Sequence, residues 1–504
     1  MALNPGRAGG VLLHPTSLPA PYGIGDLGPD AFAWVDWLAE AGCRIWQILP
    51  LGPTGFANSP YQSLSSFAGN PLLISLSSLK DDGLLTEPDL APLSSLPADV
   101  VDFDRLITSR EGLLAGAAAV AAKKAPAEER RAHAAFVEAE RPWLDDAALF
   151  MALLREFDGR PWAEWPPGLA RREPAALAKA RRDLVDELEA ETWKQFWFHR
   201  QWGAVRQHAA ELGVAIIGDL PIYAASNSAD VWTNPELFRL DSEGRPRAVA
   251  GVPPDYFSPT GQLWGNPVYD WRRHAETGYA WWIERVRAGL RTADILRIDH
   301  FRGLEAYWEV PAGLPTAEKG EWIEGPGASL LKALQASLGS LPLLAEDLGF
   351  MTPEVAKLRG AFGLPGMKIL QFGLEGGPTS HELPHHYEPL MAAYTGTHDN
   401  ETARGWYGAA TEETRDFARR YLAVGESGVV AGMVRAIWAS VADWAIVPMQ
   451  DVLELSSEAR LNVPGRAEGN WKWRMTNEQW KRAPKDWLAD LSRIYGRSGT
   501  QIPA

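Results

Sequence analysis

Short apolar runs of strand length recur along the chain, each closed by polar residues or by Gly and Pro. They cover residues 11–14, 44–49, 214–219, 295–299, 343–346, 368–372, 391–395 and 445–448. Between them lie stretches whose apolar positions repeat three and four apart, the helical spacing, as at 30–41, 277–288, 353–361 and 412–423. Strands alternating with helices call for a parallel sheet, and eight such units call for closure. The pattern therefore predicts an α/β fold, a (β/α)₈ TIM barrel with inserted subdomains, as one catalytic unit over residues 1–504.

The spacing is uneven. Between the second and third strands the chain carries Ala- and charge-rich segments with helical spacing at 111–124, 127–140, 145–157 and 174–191, so the insertion 55–191 reads as a mostly helical subdomain. A further helix at 192–212 returns to the barrel wall. The second insertion, 226–274 between strands three and four, is dense in Gly, Pro, Asn and aromatics and reads as loops covering one face.

Composition narrows the function classes. Of 504 residues 46% are hydrophobic and 22% charged, the balance of a globular protein rather than a disordered or fibrous one. With 49 basic and 64 acidic residues the net charge is −15, which argues against a nucleic-acid partner. A lone cysteine, Cys43, forms no internal disulfide and completes no CxxC pattern. No apolar run reaches the ~18 residues needed to cross a bilayer. A cytoplasmic protein with no membrane partner is expected. The 23 Trp, 12 Tyr and 16 Phe supply many flat apolar faces, which suit sugars when they stand in loops, as Trp264 does in GQLWGNP. Others are placed for packing: Trp34 with Trp37, and Trp193 with Trp197, share helix faces.

Two motifs match well-known patterns and fail on context. GIGDLG at 23–28 fits the dinucleotide fingerprint, but Pro15, Pro19 and Pro21 stand between strand and glycines where a tight turn is required. HELPHH at 381–386 fits the zinc pattern HExxH, which needs both histidines on one helix face, and Pro384 breaks that helix. No metal ligand set and no cofactor are expected.

A third constellation survives. Asp299 closes the fourth strand (ILRIDHFRG), Glu346 the fifth (LLAEDLG), and Asp399 follows the seventh (YTGTHDNE). Any one of these acids could be a salt bridge or a helix cap. Three at the same ends of three barrel strands are expected to share one cleft, because barrel active sites form there. Arg297, two residues before Asp299, faces the same side and should lower the pKa of Asp299. Glycosidic-bond chemistry uses one ionised and one protonated carboxyl, and this set can supply both.

The same segments carry a resemblance. LHPTSLPAPYGIGDLG, WQILPLGPTG with SPYQSLSSFAGNPLLI, GDLPIYAASNSADVW, GVPPDYFSPTGQLWGNPVYDW, LRIDHFRG, AEDLG, GTHDN and VLELSSEARLNVPGRAEGNWKWR resemble the amylomaltases, the bacterial 4-α-glucanotransferases. The resemblance runs over nearly the whole chain. It implies a barrel related to the α-amylase group, acting on α-1,4-glucan donors and glucose or maltooligosaccharide acceptors by a retaining double displacement. It makes Asp299 the nucleophile, Glu346 the general acid and base, and Asp399 the support of the transition state beside His398. Arg297 is similar to the arginine that orients the nucleophile, and Tyr61, Asp219 and His300 match positions lining the cleaved sugar's site. Asn470 falls within the matched segment GNWKWR and is counted with the substrate-binding residues. Trp264 with the 254–257 loop, including Tyr256 and Phe257, resembles a lid over the cleft, expected to favour transfer over hydrolysis by excluding water. Glu454 and Ser456 depart from the family, which often has small residues there. An α-1,4-glucan hydrolase on the same barrel is the alternative, and a glucan-binding protein without chemistry a more distant one. A monomer or weak homo-oligomer is expected.

Overall fold

The computed structural model describes residues 6–254 and 258–499. Eight parallel strands, Ala8–Leu12, Ile45–Gln47, Ala215–Leu220, Ile295–Ile298, Leu343–Ala345, Gly366–Ile369, Met391–Tyr394 and Trp444–Pro448, form one sheet that is a nearly closed barrel. They pair in chain order, and the first also pairs with the eighth, Ala8 beside Trp444. Only the fifth and sixth share no ladder among the described residues. There the seam is joined by Ala345 N–H donating to Pro365 O at 2.9 Å and Met367 N–H donating to the Asp347 carboxylate at 2.7 Å.

Two strands lie differently from the expectation. The first begins at Ala8, three residues before the expected start at 11, and runs through Gly9 and Gly10, which permit close approach, since a Cβ on Gly10 would stand 2.5 Å from the Ile45 side chain. The sixth spans Gly366–Ile369 and passes directly into the helix Leu370–Glu375, so the expected strand at 368–372 is half helix.

Strand side chains alternate between the inside and the outside of a barrel. The inward set Ala8, Leu12, Ile45, Ile217, Ile295, Leu344, Met367, Ile369, Ala392, Tyr394, Trp444 and Ile446 is buried and forms its own cluster. The barrel is therefore a filled core, not a pore.

Between strands two and three stand four long or medium helices, Phe103–Lys124, Ala127–Glu156, Pro174–Asp183 and Val185–Glu211. The expected break between 140 and 145 is absent: the helix Ala127–Glu156 runs through Pro142. The segment 226–274 is more ordered than loops. It contributes the strands Ala248–Val252 and Gln262–Pro267 to a four-stranded antiparallel sheet completed by Ala306–Pro311 and Glu321–Glu324. Among the described residues no single helix is long and apolar enough to cross a membrane.

Candidate active site

The strand ends hold the candidate acids through backbone bonds that continue past the ladders. Asp299 N–H donates to Leu220 O at 3.0 Å, Glu346 N–H to Ile298 O at 3.1 Å, and Phe301 N–H to Glu346 O at 3.1 Å. The ends of strands three, four and five are thus tied together where Asp219, Asp299 and Glu346 emerge.

Arg297 reaches up from the fourth strand. Its Nη1 lies 2.8 and 2.7 Å from the two oxygens of Asp219 and 3.0 Å from Asp299 Oδ1. Tyr61 comes from the loop after strand two, and its hydroxyl donates to Asp219 Oδ2 at 2.7 Å. The same hydroxyl oxygen lies 2.7 Å from His398 Nε2, which is also 3.3 Å from Asp399 Oδ2. Arg297, Asp219, Tyr61, His398 and Asp399 are therefore one connected chain. Burial holds His398 below its ordinary pKa, with Asp399 opposing it, so the imidazole is neutral near pH 7. With Tyr61 donating to Asp219, Nε2 carries the histidine's proton.

The electrostatics correct one expectation. Arg297 does pull the Asp299 carboxyl down, but loss of water outweighs it, and the group is raised to about 6, with Asp219 and Asp399 adding repulsion. Arg297 itself, which burial alone would lower, is held well above its ordinary value by Asp219, Tyr61 and Asp299. Glu346 is raised further, to about 8: withdrawal from water dominates, Arg297 opposes it, and the Asp299 charge adds to it. Near pH 7 the pair therefore shares one proton, which rests on Glu346. The His300 N–H donates to Glu346 Oε2 at 2.6 Å, from a backbone held at φ 49°, a left-handed conformation rare for a non-glycine residue.

The loop after strand eight completes the cleft. Asn462 Nδ2 donates to Asp399 Oδ1 at 2.6 Å, Asn462 N–H donates to His398 O at 3.2 Å, and Arg460 Nη2 donates to Asp399 O at 2.8 Å. Trp471 lies with its ring 5.9 Å from that of Tyr61 and 6.1 Å from that of His398. Asn462, Arg460 and Trp471 were not singled out from the sequence, although they lie within the matched segment after strand eight. Their roles arise only when two loops far apart in sequence meet.

Of the expected substrate-binding residues, Trp264 and His300 meet edge to face at 4.9 Å, and the buried His300 Nε2 has no hydrogen-bond partner among the described residues. Gln62 Nε2 fastens the strand carrying Trp264, bonding to Trp264 O at 3.3 Å and Asn266 Oδ1 at 2.9 Å. Asn470 does not join the group. Its Oδ1 accepts from Val463 N–H at 3.0 Å and its Nδ2 donates to Arg466 O at 2.8 Å, so its amide braces its own loop instead of a ligand. Tyr256 and Phe257 lie outside the described residues. In the HELPHH segment, 384–386 is a single 3₁₀ turn, and Glu382 is spent on Lys368 Nζ at 2.7 Å and Ile369 N–H at 2.9 Å.

Comparison with known proteins agrees with this geometry. The family described as 4-alpha-glucanotransferase matches residues 13–479. A 4-alpha-glucanotransferase of Thermus thermophilus is 50% identical, covering 93% of this chain and 95% of its own. A chloroplastic/amyloplastic 4-alpha-glucanotransferase of Solanum tuberosum is 41% identical over 98% of this chain and 87% of its own. Among solved structures, an amylomaltase from Streptococcus agalactiae in complex with acarbose superposes with a TM-score of 0.94 at 39% identity, covering 97% of this chain and 99% of that one.

Proposed function

The chain belongs to the 4-alpha-glucanotransferase family, and from that premise we propose how its own side chains carry out the transfer. The enzyme moves α-1,4-glucan segments between maltooligosaccharide or starch chains by a retaining double displacement. In the first step an Asp299 oxygen attacks the anomeric carbon while Glu346 gives its proton to the departing glycosidic oxygen. The products are a β-linked glucosyl ester on Asp299 and a shortened glucan. In the second step Glu346, now a carboxylate, takes the proton of an acceptor hydroxyl whose oxygen attacks the same carbon and frees Asp299.

The observation that carries this reading is the placement of two acids at adjacent strand ends, Asp299 beside Arg297 and Glu346 under the His300 N–H, where burial raises Glu346 further than Asp299. Asp399, whose side chain is 41% exposed and fastened by Asn462, is positioned to hold sugar hydroxyls. His300 Nε2, free of protein partners among the described residues, is a further hydroxyl contact. Trp264, and by sequence resemblance Tyr256 and Phe257, would stack on the sugar and keep water from the ester. We read the protein as cytoplasmic, and as a monomer or weak homo-oligomer.

Incubation with maltotriose alone, resolved by chain length, tests the reading. Glucose appearing with maltopentaose and longer chains at constant reducing ends is expected. Glucose and maltose with rising reducing ends would instead mark a hydrolase.

A further inference from the structure

Beyond the cleft, three side chains form an arrangement the reaction does not use. Phe350 stands four residues after Glu346 and is 64% exposed; Trp322, on the outer strand of the antiparallel sheet, is 37% exposed. Their rings lie 6.1 Å apart and within 22° of parallel. Behind them sits Arg302, three residues after Asp299 and buried, its guanidinium 3.8 Å from the centre of the Trp322 ring and 5.8 Å from that of Phe350. Trp308 braces Trp322 edge on at 5.3 Å. The Glu305 carboxylate lies 3.7 Å from Arg302 Nη2.

Packing does not account for this pair. A stacked cation rigidifies Trp322, while both side chains remain exposed, an unfavourable use of two large apolar surfaces unless something covers them. Two exposed, nearly parallel rings with a carboxylate paired to the cation behind them match the chemistry of a pyranose chain, whose C–H faces stack on aromatics while its hydroxyls donate to acids. The location selects the occupant. Arg302 and Phe350 follow Asp299 and Glu346 by three and four residues, and four residues of chain span at most ~14 Å, so both belong to the loops that border the cleft.

We propose that Trp322 and Phe350 form a platform for glucosyl units of an α-glucan chain that lie remote from the cleaved bond. The proposal rests on the glucan-transfer reading above and adds to it a preference for long chains. Short sugars end before they reach the rings; long ones gain a second contact, with its benefit in KM.

The test compares the KM for maltotriose with that for linear amylose chains in the wild type, Phe350→Ala, Phe350→Tyr and Trp322→Ala. Because Phe350 is exposed, its replacement leaves the fold intact. Phe350→Ala is expected to raise the amylose KM relative to the maltotriose KM by about tenfold, as loss of one aromatic contact does, and Phe350→Tyr to restore the ratio. An unaltered ratio in both alanine variants overturns the proposal. So does a wild-type dimer in sedimentation that Phe350→Ala dissolves with the ratio intact, since the patch would then serve a second copy of the chain. A wild type that makes no transfer products from maltotriose overturns the underlying reading, and is seen before any variant is compared.

Discussion

The lower and upper halves of the barrel interior are built from the same strands and the same inward positions, yet they do opposite work. Below, Ile45, Ile217, Ile295 and Leu344 fill the barrel with apolar volume. Two residues further along each strand the inward positions become Gln47, Asp219, Arg297 and Glu346. The period-two alternation that packs a core thereby lifts ionisable groups into a region poor in water, with the filled layer as its floor. Burial that stabilises the isoleucines raises the carboxyls. The same burial serves stability below and chemistry above.

The comparison breaks most visibly if the halves are exchanged by mutation. Glu346→Gln should lower kcat for maltotriose by about 10²–10⁴, the usual worth of a general acid and base, with the fold retained in circular dichroism. A donor with a fluoride leaving group, which needs no proton, should recover the first step. Ile217→Ala should do the reverse. It costs about 2–5 kcal/mol of stability through the cavity it leaves, measured by denaturant unfolding, while the turnover of the folded fraction stays near that of the wild type.

The pH dependence sharpens the contrast. Activity should fall as pH drops through about 6, where Asp299 gains a proton, and as pH rises through about 8, where Glu346 loses one. Stability follows a separate rule. Because both folded-state pKa values lie above the ordinary carboxylate range, the protonated forms favour the fold, and that contribution is lost as pH climbs from the ordinary carboxylate range through about 8. Glu346→Gln, permanently neutral, should therefore melt above the wild type at pH 8 and converge with it toward pH 4. A melting difference that shrinks with rising pH would refute the assignment of cause.

The smallest effect concerns the loop after strand eight. Glu454 has φ 50°, a conformation that suits glycine, and its carboxylate pairs with Arg404 at 3.3 Å on an exposed surface. The small residue expected at this place therefore has a backbone reason. Glu454→Gly should change stability by no more than about 1 kcal/mol and leave the pH profile where it was.

What could be read from the sequence follows the same division. Barrel strands are legible because both their faces are buried, which leaves unbroken apolar runs such as 214–218 and 343–345, and the acids stand out as the residues that end them. The strands Ala306–Pro311 and Glu321–Glu324 escape notice because they mix Trp, Glu and apolar residues without a long apolar run, and the first pairs not only with the second but with Ala248–Val252, more than fifty residues away. Gly9 and Gly10 lie outside the apolar run, yet they belong to the strand because Trp438 presses on the one and Ile45 on the other. Asn462 and Trp471 have no local pattern at all, since their contacts form only where the loop after strand eight meets the loops after strands seven and two. Asn470 is the opposite case: a polar residue in a matched segment whose amide bonds to its own turn.

The most direct test of the divided protonation is to trap the ester. Glu346→Gln enzyme would be mixed with an α-maltosyl fluoride donor, and the intact protein and its peptides weighed. Without a base to activate the acceptor, a glycosyl adduct should accumulate on the peptide containing Asp299. An adduct on a different carboxylate, or turnover at the wild-type rate without one, would contradict the roles given to the two strand ends.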